Sequence, residues 1–315
     1  MEREAASSVR LKVMVALAAV CTIWGSTYFA IRVALESLPP FTLGGIRFLV
    51  AGATLYAVLR ARGVAAPKLR EWGASAVTGA LLLVIGNGAI VVAQRHLSSS
   101  VAAIVVATMP LWTVLFGMLW RERPSRAEML GVLIGFSGVA LLNLGGDLAG
   151  NGKSAILALF APVGWALGSI LSRRLSLPGG LMTAATQMLA GGAGMALIAV
   201  MTGEHAASTP SARSIVALLY LIVFGSLVAF SAYGYLLRHT RPAIATSYAY
   251  VNPLVAIAIG VTFAHERIAL ATGAGTAVIL LGVLLLSRAK KIPAQAVEAP
   301  DFSTPARAKA TTTST

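Results

Sequence analysis

A few polar and aromatic side chains in this chain stand inside long apolar runs, where solubility cannot account for them. Arg47 lies in Gly45-Ile-Arg-Phe-Leu49, and a guanidinium there can take a carboxylate or phosphate through two parallel hydrogen bonds. Asn87 lies between Gly86 and Gly88, where another group can approach the backbone closely. Tyr248, Tyr250 and Asn252 precede Pro253, and the four-residue step from Tyr248 to Asn252 puts both on one helical face. Trp24 and Trp165 offer ring faces for stacking, and Tyr233, Tyr235 and Gln187 are weaker candidates of the same kind. Pro110 and Pro253 each remove a backbone hydrogen bond in mid-run and are candidate hinges. Every one of these residues has a structural alternative: a packing tryptophan, an interhelical hydrogen bond from the amide, a fixed bend at proline. Arg32, near the end of its run, either reaches the interface or pairs with Glu36.

What is missing narrows the chemistry. The 11 acidic residues and 4 histidines fall in connections, tails or run ends, which leaves no buried carboxylate as an obvious proton site and disfavours hydrophobic polycations as ligands. No nucleophile–base pair, metal-ligand cluster or phosphate-cradling loop is present, so no catalytic residue, cofactor or metal is expected. Gly191-Gly-Ala-Gly194 lies within an apolar run with no preceding strand and reads as packing glycine. The net charge of +14 does not indicate nucleic acid, because the basic residues are spread between apolar runs rather than gathered with aromatics. Cys21 is the only cysteine, which excludes an intramolecular disulfide.

The elements that must position these residues are membrane-spanning helices. The chain is 57% hydrophobic and 11% charged, against about 25% charged in soluble domains. Ten runs approach the roughly 20 residues that a helix needs to cross a bilayer: 13–34, 41–60, 72–93, 97–119, 127–144, 153–174, 180–202, 213–236, 243–264 and 268–287. Their continuous Ala, Leu and Gly content lacks the alternation of a lipid-facing barrel strand. Residues 1–12 precede an uncleaved first helix, and the Ala-, Pro- and Thr-rich tail 288–315 is expected to be disordered. With the N-terminus inside, most Lys and Arg fall on the cytoplasmic side. Arg95, Lys153, Arg213 and Arg267 are the basic residues of the outer loops. Both termini are therefore expected in the cytoplasm.

The runs repeat. Trp24 with Arg32 matches Trp165 with Arg173 about 140 to 144 positions later, and Gly52 matches Gly192. Arg95-His96 and Pro110-Leu111 match Arg238-His239 and Pro253-Leu254. After a one-residue slip, Glu122, Gly131 and Gly138 match Glu266, Gly275 and Gly282. Five runs per copy turn the second copy upside down in the membrane, so 13–144 and 153–287 form two inverted repeats, the architecture of a secondary transporter. The copies differ where Arg47 is opposed by Gln187 and Met109 by Asn252, positions at which a ligand could need asymmetry.

Trp24-Gly-Ser-Thr-Tyr-Phe29, Glu36-Ser-Leu-Pro-Pro40, Gly45-Ile-Arg-Phe-Leu49, Gly86-Asn-Gly88 and Thr246-Ser-Tyr-Ala-Tyr-Val-Asn-Pro253 resemble the EamA family of the drug/metabolite transporter superfamily, on a branch of bacterial inner-membrane transporters. The resemblance implies an all-α membrane protein of ten helices in two inverted five-helix repeats. It places a central cavity among helices 1, 3, 4, 6, 8 and 9, with helices 5 and 10 peripheral. It implies transport of a small molecule, and Arg47 favours a zwitterionic or anionic, amino-acid-like metabolite moved outward. Drug efflux is the alternative, and a channel, receptor or intramembrane enzyme fits less well. The expected partners are the small-molecule substrate and the lipid bilayer; a monomer is compatible with the sequence, which does not fix the oligomeric state.

Overall fold

A computed structural model describes residues 2–121, 123–144, 152–206, 209–240 and 248–289. Among these residues every regular element is helical. They are α1, Glu2–Ala34; α2, Pro40–Ala61; α3, Leu69–Ala93; α4, Ser99–Leu119; α5, Arg126–Leu144; α6, Gly152–Ser172; α7, Leu181–Met201; α8, Ala212–His239; α9, Tyr248–Ala264; and α10, Leu270–Ala289. Seven of these (α1 from Leu11, α2, α3, α4, α6 from Lys153, α7 and α8) are long and apolar enough to cross a membrane, and Val251–Ala264 and Leu270–Leu285 are shorter apolar helices. In the sequence, ten runs approach the length of a span. In α5, Arg126 and Glu128 occupy the first turn and shorten the apolar stretch, and residues 241–247, ahead of α9, lie outside the described residues. Tail residues 290–315 and Glu122 are also outside them.

Local chemistry sets the helix ends. Ser98 caps α4 by accepting from Val101 N (3.2 Å), and Ser211 caps α8 by accepting from Ser214 N (3.1 Å). Ser125 and Glu128 form a reciprocal box at the start of α5: Ser125 N donates to Glu128 Oε2 at 2.7 Å, and Glu128 N donates to Ser125 Oγ at 3.2 Å. Pro40 starts α2, where its missing N–H costs nothing. Large apolar side chains such as Leu133, Val200, Val216 and Leu270 remain exposed on the outside of the bundle, as a protein solvated by lipid rather than water requires.

Three helices depart from regular α geometry. Ala80–Asn87 of α3 and Leu221–Val228 of α8 are π-helical, and the two segments are equivalent in the repeat alignment anchored on Trp24 and Trp165. Helix α4 is broken at Ala107 and Thr108 into Ser99–Val106 and Met109–Leu119, with Pro110 at the second residue of the later piece. Its repeat partner Pro253 lies instead inside the continuous α9.

Small residues set the closest packing. A Cβ on Gly52 would sit 2.9 Å from Leu189 N and one on Gly192 2.8 Å from Leu49 N, so α2 and α7 touch backbone to backbone. Helices α5 and α10 do the same through Gly138, Gly275 and Gly282; a Cβ on Gly138 would lie 2.8 Å from Gly275 O. The larger of the remaining pairings run in matched sets: α1 with α9 and α6 with α4, α3 with α6 and α8 with α1, α3 with α7 and α8 with α2. Exchanging helices 1–5 with helices 6–10 leaves that set unchanged.

Candidate functional site

The central cavity lies where the irregular segments meet. Its walls are Trp24, Thr27, Tyr28 and Ile31 of α1; Arg47 and Phe48 of α2; Leu83, Asn87 and Ile90 of α3; Ala103, Val106, Ala107 and Met109 around the break in α4; Trp165 of α6; Phe230 of α8; and Tyr248, Asn252 and Pro253 of α9. The walls bound about 820 Å³ of space, open solvent included. Helices 1, 3, 4, 6, 8 and 9 all contribute; α2 contributes as well, whereas α5 and α10 pack against each other outside the cavity.

Arg47 is 5% exposed. Its Nε donates to Ser226 Oγ in the π-helical part of α8 at 3.1 Å, and its guanidinium carbon lies 4.7 Å from the Phe48 ring centroid. Gly225 makes room for the head group, since a Cβ there would stand 3.2 Å from Nη2. Among the described residues no carboxylate pairs with Arg47. A buried cation held by one hydroxyl keeps most of its five donors for something else. Its repeat counterpart Gln187 is used differently: Nε2 donates to Thr78 Oγ1 (2.9 Å) and Ser172 Oγ (3.2 Å), tying α7 to α3 and α6 away from the cavity.

The aromatic candidates separate in a similar way. Trp24 is fixed, with Nε1 donating to Gly225 O at 3.2 Å and its ring against Tyr248 (4.8 Å between centroids), Tyr233 (5.3 Å) and Phe230 (5.4 Å). Tyr233 therefore supports the wall from behind and does not line it. Trp165 lines the cavity beside Gly86, where a Cβ would meet its Cδ1 at 2.4 Å. The Asn87 carbonyl oxygen is buried without a partner among the described residues. Asn252, with its amide turned so that Nδ2 donates to Cys21 O (3.2 Å) and Tyr248 O (3.1 Å), holds the start of α9 to α1. Met109 and Asn252, opposed in the repeat alignment, both reach the cavity and give it unlike sides.

The Tyr250 side chain lies outside the described residues. Pro253 lines the cavity; Pro110 stands just past it. Sequence reading missed Tyr28, Thr27, Phe230 and Ser226. Tyr28 had a signal, four residues after Trp24 and so on the same helical face; Ser226 had none, because only the fold brings it to Arg47. Arg32 pairs with Glu266 rather than Glu36, which faces Arg213 at 3.6 Å. The Glu266 side chain is 5% exposed and Glu128 at the start of α5 is buried too, so two carboxylates among the described residues are buried, both away from the cavity.

A sequence profile of the EamA-like transporter family matches residues 11–144 and 152–288. The chain belongs to the EamA-like transporter family. It is 43% identical over 287 residues to the uncharacterised inner membrane transporter YedA of Escherichia coli K12, covering 90% of this chain and 94% of that one. It is 26% identical over 281 residues to the uncharacterised transporter YvbV of Bacillus subtilis, covering 87% and 91%. A solved crystal structure at 21% identity superposes with a TM-score of 0.62 over 91% of this chain and 99% of that one, which shows the fold alone. Among the described residues of this EamA-like chain, no group of His, Cys, Asp and Glu is placed to hold a metal ion.

Proposed function

We propose that this EamA-like protein is a secondary transporter that exports small carboxylate-bearing, amino-acid-like metabolites across a bacterial inner membrane by alternating access, without cofactor or metal. Arg47 carries the reading. A charge is costly at membrane depth and persists there when a partner or a ligand uses it. Among the described residues Arg47 faces the cavity with a single hydroxyl partner, so the substrate's carboxylate is the missing counter-charge. Trp24, Tyr28, Trp165, Phe230 and Tyr248 receive an apolar body, and Asn87 Oδ1 accepts from an amino or hydroxyl group.

Two five-helix repeats, 13–144 and 153–287, inverted across the membrane with both termini inside, account for the exchange symmetry of the helix pairings and the equivalent π-helical segments. Pro253 on the cavity wall and Pro110 at the α4 break are the places where each half bends.

Counterflow in proteoliposomes tests the substrate class with a panel of neutral α-amino acids, the amines left by their decarboxylation, and lipophilic cations. Accumulation of acids but not the matching amines is expected. The aromatic wall favours drug efflux as the second reading, and accumulation of lipophilic cations alone would establish that reading instead.

A further inference from the structure

One carboxylate ties the two halves together beside the outer loops. Glu266 Oε1 accepts from Ser99 N (2.9 Å) and Ser99 Oγ (2.7 Å) and pairs with Arg32 of α1; Oε2 accepts from Ser100 N (3.2 Å) and Ser100 Oγ. These five donors all belong to the first half, whereas Glu266 belongs to the second. The carboxylate's acceptor capacity is filled, and it also meets the positive end of the short helix Ser99–Val106. Its own connection is held in place: Glu266 N donates to Gly260 O at 3.0 Å, and His265 takes a φ of 52° to turn the chain back.

The gripped segment is itself a link to the cavity. Ser99–Val106 is eight residues long, its first turn is held by Glu266, and its far end puts Ala103, Val106 and Ala107 into the cavity wall. Beyond it the helix is broken at Ala107 and Thr108, so the segment can pivot without bending Met109–Leu119.

We propose that Glu266 is the outer gate of the transport cycle: its carboxylate clamps Ser99–Val106 to the second half, and releasing that grip lets the segment pivot at Ala107–Thr108 and open the cavity to the outside. This rests on the alternating-access reading and its orientation, but not on the substrate assigned there. Contents of the cavity press on one end of the segment while Glu266 holds the other, which couples occupancy to opening.

The test uses the full chain in right-side-out and inside-out vesicles, with Cys21→Ser to remove the only native thiol and Met109→Cys as a reporter in the cavity. A membrane-impermeant maleimide is added from one side, and the initial labelling rate is read. Glu266→Gln keeps the size and loses the charge; because charge-assisted bonds are lost, it should speed labelling from the outside by at least about tenfold and leave labelling from the inside equal or slower. Arg32→Ala, which leaves the serine donors in place, should give a smaller rise in the same direction. An unchanged outside rate in both variants overturns the proposal, as does an equal rise on both sides in the milder variant. Because no substrate enters the assay, a failed gate and a failed substrate assignment remain distinguishable.

Discussion

Arg47 and Gln187 occupy equivalent positions in the repeat alignment and differ in their contacts: Arg47 faces the cavity, whereas Gln187 ties helices together away from it. Gln187 joins three helices, so Gln187→Ala should lower stability by about 1 kcal/mol, with little change in the apparent KM. A thermal melt in detergent read beside counterflow checks both. Arg47→Met should do the reverse: removing a buried charge with one hydroxyl partner should leave the melting temperature equal or higher while transport is lost. A fall in both together would make Arg47 a packing residue. The sequence exposed Arg47 because a guanidinium inside an apolar run is costly unless a partner or a ligand uses its charge. It did not expose the burial of Glu266, whose partners Arg32, Ser99 and Ser100 come from remote stretches of chain.

At the scale of elements, proline announced that α4 would be irregular, and the break falls at Ala107 and Thr108, just before Pro110. The equivalent Pro253 stays within a helix, so one residue type at one repeat position does not fix one local structure. The π-helical segments had no such signal, since Ala80–Asn87 and Leu221–Val228 share apolar composition with neighbours that are regular α-helix. Gly52 and Gly192 are matched in the sequence as repeat equivalents, but only the fold shows that they meet where α2 touches α7. Gly192→Leu drives a side chain into the Leu49 backbone and should cost about 1–3 kcal/mol, read as a lowered melting temperature, whereas the same change at Gly73, where no atom lies within 4 Å, should be nearly neutral.

At the scale of the molecule, the second half also grips the first through Glu204, whose carboxylate accepts from Phe41 N (3.1 Å), Thr42 N (2.8 Å) and Thr42 Oγ1 (3.0 Å) at the start of α2. Burial alone would raise the Glu266 carboxyl, but hydrogen bonds from the Ser100 and Ser99 side chains and backbone outweigh it and hold it below the ordinary glutamate value, with Arg32 the charged group facing it. A carboxyl depressed in the folded state contributes fully above its unfolded pKa, and the contribution is lost only as pH falls through the lower folded value. The ratio of outside to inside labelling of the Met109→Cys reporter, in which the thiol's own pH-dependent reactivity cancels, should therefore stay flat from pH 8 to about pH 5, above the unperturbed glutamate pKa of about 4.3. A rise within that window would place the gate under control of another group.

If the buried Arg47 facing the cavity selects the substrate's carboxylate, counterflow of the accumulated amino acid must separate the parent protein, Arg47→Lys and Arg47→Ala at matched reconstitution. Arg47→Ala should lose at least about tenfold in kcat/KM, and Arg47→Lys, which keeps the charge but not the two-pronged geometry, should recover part of it. Equal transport by the parent and Arg47→Ala would contradict it.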